Sequence, residues 1–249
     1  MDSKILFDEL KLAKKAALES GNLLLKSKND LNIRLNKNSK DTKLQADIES
    51  EKLIKNIISS ESIYPILGEE TGGSKENLGE IFWVIDPLDG TANYNRNIPF
   101  CCVSIGLIQN MKPILGVIYD FNNDHMYIGD KQNNYSTLND KKIHVSNKNN
   151  KNESVLITGL PHGTDYSENA LKLMIDDMRQ WQKIRMIGSA AMAACYIATG
   201  KAEQYQENGV YLWDIIAGAA IVESSGGTAK IFNEKENFQV DVVFSNSKI

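Results

Sequence analysis

The run WVIDPLDGTANY at residues 83–94 sets two carboxylates, Asp86 and Asp89, at the end of an apolar segment with a Gly-Thr step directly behind them. Ile81, Phe82, Trp83, Val84 and Ile85 form a continuous apolar run, which predicts a strand buried on both faces. Asp86, Pro87, Leu88 and Asp89 suit a type I turn, with Asp first and Pro second, where its fixed φ is wanted. Such a turn folds both carboxylates toward one side and leaves the Leu88 carbonyl pointing with them. Gly90 allows a close backbone approach to a ligand, and Thr91 opens a short helix whose free amides attract anions. The pattern reads as a site for cations and phosphate. On these residues alone, an ordinary strand exit with solvated acids is the alternative.

The remaining residues exclude several other chemistries. A chain of 249 residues with 42% hydrophobic content can bury a sizeable core. Its 28 basic and 32 acidic side chains leave a net charge of -4, so neither nucleic acid nor an anionic membrane is expected as a partner. The first segment mixes charges among its apolar residues, and no apolar run approaches the ~20 residues of a membrane span; a cytoplasmic protein is expected. Cys101, Cys102 and Cys195 have no C-x-x-C spacing and read as buried, inert thiols. His125, His144 and His162 are scattered, and no G-x-S-x-G elbow occurs, so imidazole- and serine-based hydrolysis lack their parts.

Leu6, Leu10, Ala13, Ala17 and Leu24 recur at helical spacing and predict a first helix to about Lys26, followed by a loop over residues 27–42. Leu53, Ile54, Ile57 and Ile58 mark a second helix with Asp47 near its start. Strands are expected at 81–85, 102–108, 114–119 and 125–128 as a largely antiparallel meander. The Asn- and Lys-rich tract 131–152 reads as loops around a strand at 143–145, and as the boundary between an N-terminal lobe over 1–140 and a C-terminal lobe over 141–249. In the second lobe, strands at 155–158, 184–187 and 242–245 alternate with helices over about 167–181, 190–199 and 214–225.

WVIDPLDGTANY resembles the signature of the inositol monophosphatase family of magnesium-dependent sugar and polyol phosphatases. ILGEET at 66–71 and WDIIAGA at 213–219, followed by Gly226-Gly227, support the resemblance in the right order. It implies a layered αβαβα fold of the α/β (α+β) class with two sheets, a Mg2+ cofactor, a small phosphorylated substrate and a homodimer. It also implies that Glu69, Asp86 and the Leu88 carbonyl hold one magnesium, and that Asp86, Asp89 and Asp214 hold a second. Oxygen-only ligands suit hard divalent cations. Like charges ~4 Å apart cost about 4 kcal/mol per pair at an effective dielectric of 20, so such acids need cations or protons.

The resemblance further implies that Asp47 and Thr91 activate the attacking water, with Glu70 beside them as a catalytic carboxylate. It gives Gly90, Thr91, Ala190 and Glu207 contacts to substrate. Leu44 departs from the Thr that many relatives carry there. Each residue keeps a plainer alternative: Glu69 and Glu70 as a solvated loop, Asp47, Thr91 and Asp214 as helix caps, Glu207 as a surface glutamate, and Ala190 as packing at a helix start. The function expected is a phosphomonoesterase for a small polyol or sugar monophosphate; adenosine bisphosphate or dinucleotide phosphatases, and a phosphatase-fold protein that binds a partner, are the alternatives.

Overall fold

Helices and sheets alternate in five layers in the computed structural model, which describes residues 1–35, 42–73, 77–160 and 164–249. The apolar spacing of the first segment produces α1, Ser3–Lys26, whose N-terminal amides at Lys4 and Ile5 donate to the Asp2 carboxylate. A short α2, Lys28–Leu31, follows within the stretch expected to be loop; residues 36–41 of that stretch lie outside the described residues. Helix α3, Gln45–Glu61, packs beside α1, and together they cover one face of the first sheet.

That sheet runs in sequence order: β1, Ile66–Gly68; β2, Ile81–Asp89; β3, Cys102–Gln109; β4, Lys112–Asp120; β5, His125–Asp130; β6, Tyr135–Leu138; and β7, Lys141–Lys142. Only the β1–β2 pair is parallel, and the rest is the antiparallel meander expected. Side chains alternate across it: Trp83, Ile85, Val103, Ile105 and Leu107 face α1 and α3, whereas Phe82, Val84, Cys102 and Ile108 join the core on the other side.

The other side is filled by α6, Ala190–Ala198, and α7, Leu212–Ser224, which separate the first sheet from the second. The second sheet has the order β11, Thr228–Phe232; β12, Gln239–Ser245; β10, Gln204–Tyr211; β8, Val155–Thr158; and β9, Lys183–Arg185. Helix α5, Glu168–Met178, lies against its outer face and buries no side chain of its own. Gly106, Gly116 and Gly129 are cross-strand neighbours on β3, β4 and β5, and form a groove for α7. A Cβ on Gly116 would lie 2.1 Å from the Ala217 oxygen, and one on Gly129 would lie 2.4 Å from the Cα of Ile221. The helix therefore sits directly on the sheet.

Three local expectations change. Asp86 to Asp89 is not a turn: β2 continues to Asp89, and its pairing steps from Asp86↔Ser104 to Asp89↔Cys102. Between these pairs Pro87 and Leu88 on β2 thus oppose Val103 alone on β3, a β-bulge that Pro87, with no amide to donate, accommodates. Residues 143–145 form no strand; the chain pairs earlier, as β6 and β7, because Asn139 and Asp140 both take positive φ (47° and 62°) and close a two-residue hairpin. The strand expected at 242–245 begins at Gln239, where it pairs with β10.

Candidate metal centre

The bulge explains how residues three apart reach one cavity. In a regular strand positions i and i+3 face opposite sides, so the extra residue restores Asp89 to the side of Asp86. Both are buried, at 2% and 8% exposure, and both line a cavity of 570 Å³ with Glu69, Leu88, Gly90, Thr91, Ala190, Glu207 and Asp214. Asp47 and Glu70 do not line it.

Each acid arrives from a different element. Glu69 follows β1, and its amide donates to the Ile85 carbonyl at 3.2 Å. Asp214 stands in the first turn of α7, where its Oδ2 accepts the Tyr211 amide at 2.8 Å. Asp47 does the same in α3: its Oδ2 accepts the Leu44 amide at 2.6 Å, while its Oδ1 accepts the Thr91 hydroxyl at 3.0 Å. Asp214 thus caps its helix and lines the cavity, whereas Asp47 caps its helix and reaches the cavity only through the Thr91 hydroxyl. Leu44 serves this arrangement through its backbone alone.

The Thr91 hydroxyl also lies 2.9 Å from the Leu88 carbonyl. Gly90 turns the chain into α4, Thr91–Asn95, with φ 85°, and a Cβ there would meet the Phe100 oxygen at 2.5 Å. Asp89 Oδ2 accepts from the Ser189 hydroxyl at 2.5 Å and the Ala191 amide at 2.7 Å, so it fastens the start of α6. Asn93 reinforces that seam by donating to the carbonyls of Phe100 and Ile187, both at 2.8 Å. Glu207 extends from β10, accepts the Tyr205 hydroxyl at 3.1 Å and packs where Gly159 has no side chain; a Cβ on Gly159 would come within 2.4 Å of it. Residues 161–163, which include Pro161 and His162, lie outside the described residues.

Electrostatics distinguish this cluster from a solvated loop. Burial, and then the charges of Glu69, Asp89 and Asp214, push Asp86 well above the carboxylate range. Burial and then Asp214 do the same to Glu69, which shares a hydrogen bond with Asp86. Burial raises Asp47 to about 7 against the opposing bonds from Leu44 and Thr91, and raises Asp89 to about 6 against those from Ser189 and Ala191. Glu207 rises to about 7, again through burial. Glu70 is paired with Lys43, whose own pKa rises chiefly through that hydrogen bond.

As they stand, no three Asp, Glu, His or Cys side chains among the described residues form a closed metal shell. The donor set nevertheless fits a hard cation: it is all oxygen, burial and mutual repulsion raise the pKa of Glu69 and Asp86, and Glu69 Oε2 is buried without a hydrogen-bond partner among the described residues. The cysteines are buried, as expected, and burial pushes the Cys101 thiol up to about 11. No described helix is long and apolar enough to cross a membrane. Sequence reasoning passed over Glu51 and Lys43; the Glu51-x-x-x-Lys55 spacing, one turn beyond Asp47, is the available signal for the first.

The inositol monophosphatase family model matches residues 8–247. A Xylella fastidiosa protein named Nus factor SuhB is 38% identical, over 86% of this chain and 78% of its own length. Bos taurus inositol monophosphatase 1 is 32% identical, over 80% of this chain and 74% of its own. Among solved structures, the inositol monophosphatase from Anabaena superposes with a TM-score of 0.81 at 30% identity, covering 98% of this chain and 92% of that one. With its five layers, its bulged Asp-Pro-x-Asp strand and a match over nearly its whole length, the chain belongs to the inositol monophosphatase family.

Proposed function

We propose that this chain is a magnesium-dependent phosphomonoesterase acting on a small polyol or sugar monophosphate. The observation that carries the reading is the convergence of Glu69, Asp86, Asp89 and Asp214 on one cavity that Glu207 also lines. Glu69, Asp86 and the Leu88 carbonyl would hold one magnesium, and Asp86, Asp89 and Asp214 a second. Bound there, the two cations supply charge neutralisation of the phosphate and activation of water.

The protein's own groups complete the chemistry. The Thr91 hydroxyl bridges the cavity to Asp47, so a proton leaving the attacking water can pass to a carboxylate whose pKa of about 7 suits a general base near neutrality. Glu70 adds to Asp47's proton affinity through its charge. Gly90 and Ala190 line the floor for substrate, and Glu207 accepts hydrogen bonds from its hydroxyls. The two-lobe division at residues 140/141, a homodimer and a cytoplasmic location belong to the same proposal.

The relatives named Nus factor SuhB favour a second reading, in which the fold also binds a protein or RNA partner. A phosphate-release panel over inositol phosphate, sugar monophosphates and phosphoadenosine phosphate, run with magnesium and with chelator, tests the phosphatase reading. Metal-dependent release from a polyol or sugar monophosphate is expected. Full turnover in chelator, or no release from any compound, overturns the phosphatase reading.

A further inference from the structure

Glu51 lies on α3 one turn beyond Asp47 and is 1% exposed, yet it does not line the cavity. Its carboxylate sits beneath the segment that follows β1. Oε2 accepts the Glu70 amide at 2.8 Å; Oε1 accepts the Thr71 amide at 3.2 Å and the Thr71 hydroxyl at 2.6 Å. Lys55 closes the arrangement, with its Nζ 3.0 Å from Oε1 and a hydrogen bond to the Thr71 hydroxyl. A buried charge with three donors and a cation is well compensated.

The segment above is shaped to receive it. A Cβ on Gly68 would lie 2.5 Å from Glu51 Cδ and 2.6 Å from each of its oxygens, so the carboxylate occupies the space a side chain there would fill. The Gly72 amide donates to the Gly68 carbonyl at 2.9 Å and closes a tight loop, and Glu69 stands inside that loop. Without Glu51, two consecutive amides in the loop would lose their acceptor, leaving the Glu69 amide on the Ile85 carbonyl and the Gly72–Gly68 bond to hold the segment that carries Glu69.

We propose that Glu51 is the positioning residue of the candidate metal centre: by holding the amides of Glu70 and Thr71 it fixes the loop that aims the Glu69 carboxylate into the cavity. The inference rests on the reading of Glu69 as a metal ligand. Groups that orient ligands without touching the metal typically govern affinity by roughly 10–100-fold.

The test is Glu51→Gln, which keeps the shape but turns an NH2 toward at least one N–H donor. Manganese binding to the full chain is followed by titration calorimetry, together with melting in chelator. Expected is a weakening of about tenfold or more at one of two sites, a matching rise in the magnesium needed for half-maximal activity, and little change in the melting temperature in chelator. An isotherm like the parent's, with or without a lowered melting temperature, would reduce Glu51 to a structural role and overturn the inference. Should the Gln variant not fold, Thr71→Val removes the hydroxyl with its bonds to Glu51 and Lys55 and keeps both amide bonds; a severalfold weaker isotherm supports the proposal and an unchanged one overturns it. A parent that binds no manganese would instead remove the metal reading itself, and this inference with it.

Discussion

Helices α7 and α5 flank neighbouring cavities, yet they are held in different ways. Ten of the thirteen α7 residues are buried between the sheets, and its first turn carries Asp214. Helix α5 buries none, and stands over a 700 Å³ cavity that shares Gly159, Leu160, Glu207 and Gly209 with the carboxylate site. Its ties are polar: Asp177 pairs with Lys151 at 3.0 Å and accepts from Gln206 at 2.9 Å. Asp86, Asp89 and Asp214 therefore stand on the packed centre of the molecule, while the second cavity is bordered by an element that can shift at little cost in packing. Such a division suits an enzyme that treats one phosphate stringently and the alcohol attached to it more loosely.

The strongest way to break this contrast lies on the rigid side. Asp89→Asn must keep an oxygen on Ser189 and Ala191 and so aims its amide at the position proposed for the cation. Steady-state kinetics should show a loss of orders of magnitude, while melting in chelator holds or rises because a buried charge is gone; a near-parental rate would remove Asp89 from the metal centre. Packing gives the next effect. Ile221→Ala on α7 should cost about 2–5 kcal/mol in denaturant unfolding, whereas Leu173→Ala on α5, 63% exposed, should stay within about 0.5 kcal/mol. Similar losses at both positions would erase the distinction between the helices.

Acidity sharpens the comparison further. Asp47, Asp89 and Glu207 have folded pKa values of about 7, 6 and 7, all above their ordinary carboxylate values. Raised carboxylates favour the folded state most below about pH 4, and that contribution is lost as pH rises through 6 to 7. Metal-free protein should therefore melt progressively lower from about pH 4 to pH 7, and added magnesium should cancel the decline. A flat chelator profile over that window would contradict the burial of these acids. The smallest effect belongs to the adaptable end: Glu207→Ala should raise the Michaelis constant severalfold for a polyol phosphate and less for an aryl phosphate. Equal changes for both would remove Glu207 from the alcohol pocket.

Much of this was legible because it rests on long, regular patterns. The spacing of Leu6, Ala13, Ala17 and Leu24 marked α1, and the apolar runs of β2 to β5 marked the meander. What escaped notice depends on partners distant in sequence. Strand β10, Gln204–Tyr211, reads as polar because Gln206 and Asn208 border the cavity under α5. The Asp86–Asp89 segment has the composition of a turn, and only pairing with Ser104 and Cys102 reveals a bulge. Glu51 looks like a solvated helix residue until β1 delivers the Gly68–Thr71 loop above it. The acids of the site, by contrast, lie in short signatures whose residue types already state their chemistry.

The groove of Gly106, Gly116 and Gly129 gives three hydrogens a say in ion selection. Asp214 rides on α7 and Asp86 on the sheet, so the span between them depends on how closely that helix lies on that sheet, which the three glycines keep short. A single methyl at position 116 would lift the helix while leaving every carboxylate chemically intact. Magnesium demands oxygens at 2.0–2.1 Å in near-octahedral array, whereas calcium tolerates roughly 2.3–2.6 Å and looser geometry. On the proposed metal reading, preference for the smaller ion is thus written in residues that are not ligands, in the closeness with which a helix is allowed to lie on a sheet.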